Sequence, residues 1–257
     1  MTRIKNFPRK SLGQNYLIDE NICRNIVNSF EIKESDNVIE IGPGQGAITK
    51  YIIEKTKNLT VIELDDNNCK ILGEKFPNVK IINKDFLKFN LNPQSAFRSP
   101  KFRIIGNIPY NITSEIIFKL IDNRQIISDA QLMVQEEVAQ RLTGKPNSKE
   151  YGIPSVLIQV FAKPILLFKV SKNCFYPKPG VDSRIIHIDF NYSSEGQIKD
   201  IIFLKKLVKA SFGTRRKTLK NSLKSLNTDL KEIDFDFSRR AESLTINEFI
   251  ELSNLLC

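Results

Sequence analysis

The chain has 257 residues, of which 41% are hydrophobic and 26% charged. This is ordinary globular composition, long enough for one large domain or for one domain with a smaller partner, and it excludes the disordered and fibrous classes. The formal charge of +10 predicts a polyanion as partner, and the lack of any apolar run of ~18 residues argues against a bilayer-spanning helix.

The first 18 residues carry Arg3, Lys5, Arg9 and Lys10 against no acid and contain no apolar stretch of the signal-peptide kind, so a cytoplasmic protein without membrane association is expected. Residues 1–20 follow no strong period, and with the amides Gln14 and Asn15 they are expected to form an arm that closes on a ligand. From Asn37 the β-like runs NVIEIG, LTVIEL, VKIINKDFL, FRIIGNI and AQLMVQ alternate with helix-sized segments. Among those segments are Ala47 to Lys57 and Asn67 to Phe76, and the alternation predicts an α/β fold with a mostly parallel sheet. After Tyr151 the apolar runs VLIQVFA and RIIHIDF flank the Pro-rich loop FYPKPG and are expected to close the sheet as an antiparallel edge. The single histidine, His187, falls in the alternating run Arg184 to Phe190 and reads as a strand residue. Cys23, Cys69, Cys174 and Cys257 form no CxxC pair, so neither a disulfide framework nor a metal site is expected. At Asn191 the composition turns polar in NYSSEGQ and the tail becomes helical in pattern. The expected division is residues 1–190, an α/β ligand-binding domain including the arm, and residues 191–257, a small all-α domain. Between Phe203 and Thr228 the tail holds eight cations and no acid. Lys205, Lys206, Lys209, Arg215, Arg216, Lys217, Lys220 and Lys224 are therefore candidates for nucleic-acid phosphate contacts.

Three strand ends carry ligand-type residues. VIEIGPGQGAIT runs an apolar strand into Gly42, Gly44 and Gly46, where the backbone can approach a ligand. Glu63, twenty-one residues beyond Gly42, ends the next strand and can accept from both hydroxyls of a ribose. The string also satisfies G-x-G-x-x-A through Ala47, so a nicotinamide dinucleotide remains possible on this motif alone. Asp85, in NKDFL, adds a second carboxylate that could take the exocyclic amine of an adenine or could cap a helix.

The fourth strand end reads FRIIGNIPY, with Asn107, Ile108, Pro109 and Tyr110 in the order N-[LIP]-P-[YFW]. The tetrapeptide resembles that of S-adenosylmethionine-dependent methyltransferases acting on exocyclic amino groups of adenine or cytosine. The Asn107 side-chain oxygen and the Ile108 carbonyl can both accept from one NH₂, and Tyr110 offers a face to the base. KSLGQNYL, GKPNSKEYGIPSVLIQ, CFYPKPGVDS, FGTRRKTLKNSL and RAESLTINEF extend the likeness. Over essentially the whole chain they resemble the small-subunit ribosomal RNA adenine N6,N6-dimethyltransferases. The chain departs from the usual pattern at Ile108, Pro154, Ser171 to Asn173 and Gly180.

The resemblance implies a Rossmann-like class I methyltransferase sheet, S-adenosyl-L-methionine as cofactor, and a substrate of two adjacent adenosines near the 3′ end of small-subunit rRNA. It implies a monomer acting within a pre-ribosomal particle, with a role in small-subunit biogenesis. Carried over by motif, the cofactor contacts are Gln14, Asn15, Leu17, Gly42, Gly44, Glu63, Asp85 and Asn107, and Phe175 would pack against the flipped base opposite Tyr110. Three other readings differ in kind. A large-subunit rRNA methyltransferase shares GQN, GPG and N-x-P-[YF], but residues 144–159 and 174–183 argue against it. A nicotinamide enzyme leaves Asp85 and Asn107 to Tyr110 without a role. A non-enzymatic RNA-binding assembly factor is compatible with catalysis.

Overall fold

The computed structural model describes residues 7–9, 12–91, 101–214, 216–226, 230 and 233–257. Chain contacts divide it into two compact units, Met1–Ala139 with Ile165–Phe190, and Gln140–Pro164 with Asn191–Cys257. The division at Phe190 coincides with the polar NYSSEGQ stretch. Residues 140–164 differ from expectation: they belong to the helical unit and not to the first.

The first unit opens with a two-residue strand, β1 (Tyr16–Leu17), and α1 (Glu20–Ser29). The Asp19 carboxylate starts that helix by accepting from the Asn21 and Ile22 N–H groups at 2.9 and 3.1 Å. Five strands rich in β-branched residues follow: β2 (Asn37–Ile41), β3 (Leu59–Glu63), β4 (Lys80–Asn83), β5 (Phe102–Asn107) and β6 (Ile127–Gln135). The inner residues of β2, β3, β5 and β6 are buried, as strands covered on both faces require, and Val38, Val61, Ile104, Ile105 and Leu132 are at most 1% exposed, whereas the edge strand β4 has no buried residue. The helices between them are α2 (Thr49–Ile52), α3 (Asp66–Lys75) and α4 (Thr113–Asp122), and α5 (Glu136–Leu142) follows β6. The regular part of the helix expected over residues 47–57 is only the four residues of α2, because residues 44–48 are spent in the turns that shape the glycine loop.

Three further strands follow, β7 (Lys163–Val170), whose residues from Ile165 on belong to this unit, β8 (Phe175–Tyr176) and β9 (Ser183–Asp189). The main sheet has the order β4-β3-β2-β5-β6-β9-β7. Strands β2 to β6 are mutually parallel, and β9 runs antiparallel to β6. The antiparallel edge is present, but one of the runs expected to form it is not a strand. VLIQVFA lies in α6 (Ile153–Phe161), and the strand before the Pro-rich loop is β7. Six residues of α6 are buried, so its apolar face is nearly continuous and its sequence reads like a buried strand. Pro154 stands in its first turn, where a missing N–H costs nothing.

The chain winds outward through β2, β3 and β4, then crosses back to place β5 on the other side of β2. A crevice opens where the winding reverses, outside the carboxyl ends of β2 and β5. The two strands approach closely there: a Cβ on Gly106 would lie 2.6 Å from the Ile41 carbonyl oxygen. The opposite end of the sheet is closed by Arg103, whose guanidinium donates to Asp129 at 2.8 and 2.6 Å and to Asp36 at 2.8 Å. His187 lies on β9 beside this cluster, its Nε2 3.7 Å from Asp129.

The second unit packs α6 against α7 (Ile201–Gly213) and α9 (Ile246–Leu256), with the short α8 (Leu219–Ser222) beside α7. Tyr151, fully buried, donates its hydroxyl to the Leu244 carbonyl at 2.7 Å. Its ring meets Phe212 edge-on at 6.0 Å, and Phe212 stacks on Phe249 at 5.8 Å. A capping box begins α9: the Glu248 N–H donates to Thr245 Oγ1 at 3.2 Å while the Thr245 N–H donates to the Glu248 carboxylate at 2.7 Å. Arg239 grips the same carboxylate, and the pair holds the Glu248 carboxyl down at about 2. Among the described residues no helix is long and apolar enough to cross a membrane, and no group of three metal-ligating side chains occurs.

Candidate active site

A cavity of about 270 Å³ lies at the carboxyl ends of β2, β3 and β5. Every residue assigned to cofactor contact lines it: Gln14, Asn15 and Leu17 from the arm, Gly42 and Gly44 after β2, Glu63 ending β3, Asp85 after β4 and Asn107 ending β5.

The floor is the glycine loop. Gly44 has φ +56°, a conformation that a side chain strains, and a Cβ there would sit 3.0 Å from the Tyr16 ring. The bare backbone lets the Gly44 N–H reach Glu63 Oε2 at 3.0 Å, while Glu63 Oε1 accepts from the Asp65 N–H at 2.8 Å. Glu63 is 6% exposed. Burial raises its pKa, and the two backbone donors oppose that rise. A carboxylate held by two N–H groups keeps lone pairs free for further donors, which suits a vicinal diol. Beneath it Glu40, 1% exposed, accepts from Thr49 Oγ1 at 2.6 Å, and burial pushes its carboxyl up to about 8.

Asp85 is a cap, one of the two roles the sequence left open. Its Oδ1 accepts from the Leu87 N–H at 2.9 Å, capping the short turn Phe86–Lys88, and the residue also lines the cavity.

The arm crosses this site. Gln14 donates to Asp65 Oδ2 at 3.2 Å and accepts from the Tyr16 hydroxyl at 3.0 Å. Arg9 stands 3.4 Å from the same Asp65 carboxylate, which is buried. Tyr16 and Asp65 were missed in the sequence. Asp65 also caps α3 through the Asn67 N–H at 2.9 Å, and a helix-cap aspartate carries no sequence sign of a second partner. Tyr16 was hidden because a two-residue strand shows no period.

At the β5 wall, Asn107 Nδ2 donates to the Asn15 carbonyl at 2.9 Å. That bond fixes the amide so that Oδ1 is its acceptor end, and among the described residues Oδ1 takes no hydrogen bond. Ile108, Pro109 and Tyr110 follow along the same wall. Tyr110 heads the turn Tyr110–Ile112, and its hydroxyl lies 2.6 Å from Ser183 Oγ.

Phe175 is not brought to the cavity. It is 3% exposed and packs in the core beside Leu17, its register partner on β1. Opposed residues share a face of a strand pair, so Tyr176, 45% exposed, points with Tyr16 instead.

The candidate phosphate-binding cations lie on the second unit. Lys206, Lys209, Arg216, Lys217, Lys220 and Lys224 are exposed. Lys205 is half-buried with Nζ 5.8 Å from the Phe161 ring centre. Arg215 lies outside the described residues, as do Arg3, Lys5 and Lys10 of the arm.

A reversal-point cavity with a diol-type acceptor on one wall and an amide acceptor on the next suits a nucleoside cofactor facing an amino substrate. Solved structures carry the same scaffold. A dimethyladenosine transferase from Plasmodium falciparum matches with a TM-score of 0.78 and 25% identity over 92% of this chain and 95% of that one. The 23S rRNA methyltransferase ErmE shares the fold with a TM-score of 0.73 at 23% identity, over 94% of this chain and 99% of that one. The fold is that of a class I methyltransferase. The family model described as ribosomal RNA adenine dimethylase matches residues 5–256. Proteins described as ribosomal RNA small subunit methyltransferase A are 42% identical in Francisella tularensis subsp. novicida, over 96% of this chain and 97% of the relative. In Chlorobium phaeobacteroides the identity is 43%, over 95% and 92%. The chain belongs to the ribosomal RNA adenine dimethylase family.

Proposed function

We propose that this protein transfers methyl groups from S-adenosyl-L-methionine to the N6 amines of two adjacent adenosines near the 3′ end of small-subunit rRNA. It acts as a cytoplasmic monomer on a pre-ribosomal particle and so contributes to small-subunit biogenesis. The observation that carries the reading is the Asn107 amide, anchored through Nδ2 to the Asn15 carbonyl with Oδ1 left to accept.

The cavity residues fit the cofactor. Glu63 is preset by Gly44 and Asp65 to receive ribose hydroxyls, Asp85 offers Oδ2 to an adenine amine, and the side chain missing at Gly44 leaves backbone for close approach. When bound, the cofactor supplies a sulfonium methyl, an electrophile that needs no metal. The chain's part is to make N6 a nucleophile. Asn107 Oδ1 and the Ile108 carbonyl accept from the two N6 hydrogens, which holds the amine's lone pair out of conjugation and stabilises positive charge developing on nitrogen. As the N–C bond forms and the S–C bond breaks, one N6 proton is released to solvent. No histidine or cysteine need act as base. Tyr110 offers a face to the unstacked base.

The test is labelled-methyl transfer to small subunits purified without these methylations. The wild-type chain should incorporate about four methyl groups per particle, two for each N6,N6-dimethyladenosine. Binding without incorporation would overturn the enzymatic reading. Transfer to large-subunit rRNA instead would replace the substrate.

A further inference from the structure

We infer that Ser183 is a positioning residue for this reaction: its hydroxyl, presented by the first residue of β9, fixes the Tyr110 ring against which the target base stacks. This rests on the methyltransferase reading above and adds a residue to it.

Tyr110 stands in a short turn between β5 and α4, on the wall of the cavity. A turn fixes its backbone and leaves the ring two torsions, so a stacking surface there would lose rotamer freedom each time a base arrives. The phenolic oxygen lies at the tip of the side chain on the χ2 axis, so one contact there fixes χ1, the torsion that swings the ring toward or away from the cavity, and the in-plane preference of a phenol hydrogen bond orients the ring about χ2. That contact is Ser183 Oγ at 2.6 Å, where either oxygen could donate.

Ser183 is built to hold still. It is 0% exposed, and it faces Gln135 in the antiparallel register of β6 and β9. Its neighbour Asp182 is held twice, by the Glu136 N–H on its carbonyl at 3.1 Å and by the Lys172 N–H on its carboxylate at 2.9 Å. Since β6 lies between β5 and β9, the hydroxyl pair ties the turn after β5 to a strand two positions away. Among the described residues the Tyr110 hydroxyl is the partner that satisfies the buried Ser183 hydroxyl. A serine needed only for packing would be satisfied as well by a backbone carbonyl of its own ladder. Burial raises the Tyr110 pKa, which keeps the phenol protonated and able to share in the pair.

The experiment is a double-mutant cycle on kcat with Ser183→Ala, Tyr110→Phe and the double variant, using labelled methyl transfer to unmethylated small subunits. Each single variant should lose about tenfold in kcat, a misplaced ring being the cause. The double variant should lose no more than either single. Cofactor Kd by calorimetry and KM for the particle should stay within twofold, a split that general loosening of the fold would not give. Ser183→Ala at the wild-type kcat, or single losses that multiply in the double variant, would overturn the assignment. If Ser183→Ala does not fold, Tyr110→Phe removes the same contact from the cavity side and must still lose about tenfold; a wild-type rate then overturns it. Asn107→Ala run alongside separates the two levels. An Asn107→Ala variant without activity beside a fully active Ser183→Ala defeats the positioning role alone, whereas a fully active Asn107→Ala defeats the methyltransfer reading itself.

Discussion

Asn107 does two jobs with one amide: its nitrogen is spent on the Asn15 carbonyl, and its oxygen is thereby aimed as an acceptor. Asn107→Ala should therefore reduce kcat about 100-fold, the usual cost of removing one oriented polar contact at a transition state, with an unchanged melting transition by circular dichroism. Glu63→Ala should weaken cofactor binding by about 1–3 kcal/mol in calorimetry, since ribose hydroxyls lose their acceptor and the Gly44 and Asp65 N–H groups lose theirs. Glu40 gives a pH signature. Its carboxyl is held up to about 8 in the folded chain and titrates near the ordinary glutamate value when unfolded. Between those values the folded state retains a proton that the unfolded state has lost, so this group's contribution to stability falls as pH rises from about 4.5 toward 8. Glu40→Gln should erase that slope, making the variant gain on the wild type across this window in urea melts. An equal slope in both would place the titration elsewhere. That Gly42, Gly44, Glu63, Asp85 and Asn107 lie together at strand ends was readable because each belongs to a motif that is local in sequence. Tyr16, Asp65 and the Tyr110–Ser183 pair were not, because each depends on a partner more than 45 residues away in sequence.

Elements were legible where their period was unambiguous and long. The parallel strands β2 to β6 and the helix α3 stand close to where the alternation placed them. The run VLIQVFA did not, since a helix buried on most of its surface loses the polar face that marks a helix, and only Pro154 in its first turn betrayed it. Phe175 shows the same limit at smaller scale. A one-residue shift in a strand reverses which face a side chain takes, and no sequence signal set the register of β8 against β1. Where elements touch, the structure predicts sensitivity. Gly106→Ala would drive a methyl group to 2.6 Å from the Ile41 carbonyl, backbone that has nowhere to move in the middle of a paired sheet. It should cost about 1–3 kcal/mol in denaturant melts, as overpacking does. Cofactor binding should weaken with it, because β2 leads into the glycine-loop floor of the cavity and β5 carries its Asn107 wall.

At the scale of the whole molecule, chemistry and charge are segregated. The cavity is lined from the first unit alone, while the acid-free stretch richest in cations, eight between Phe203 and Thr228, belongs to the second. Six of those cations are exposed, and Lys205 differs in lying over the Phe161 ring, so it is half spent on packing. A polyanion held by such a surface releases counterions, and the log of its affinity falls with the log of salt by roughly 0.7 to 0.9 per phosphate contact. Arg216→Ala, Lys217→Ala and Lys220→Ala combined should therefore flatten the salt dependence of binding to small-subunit particles by about two units of slope. The same triple variant should raise KM for the particle while leaving kcat at saturation near the wild type. Cofactor affinity should be untouched, because Gly44, Glu63 and Asp85 belong to the other unit. A triple variant that keeps the wild-type slope would make this face a solvated surface and move the search for phosphate contacts to the basic arm.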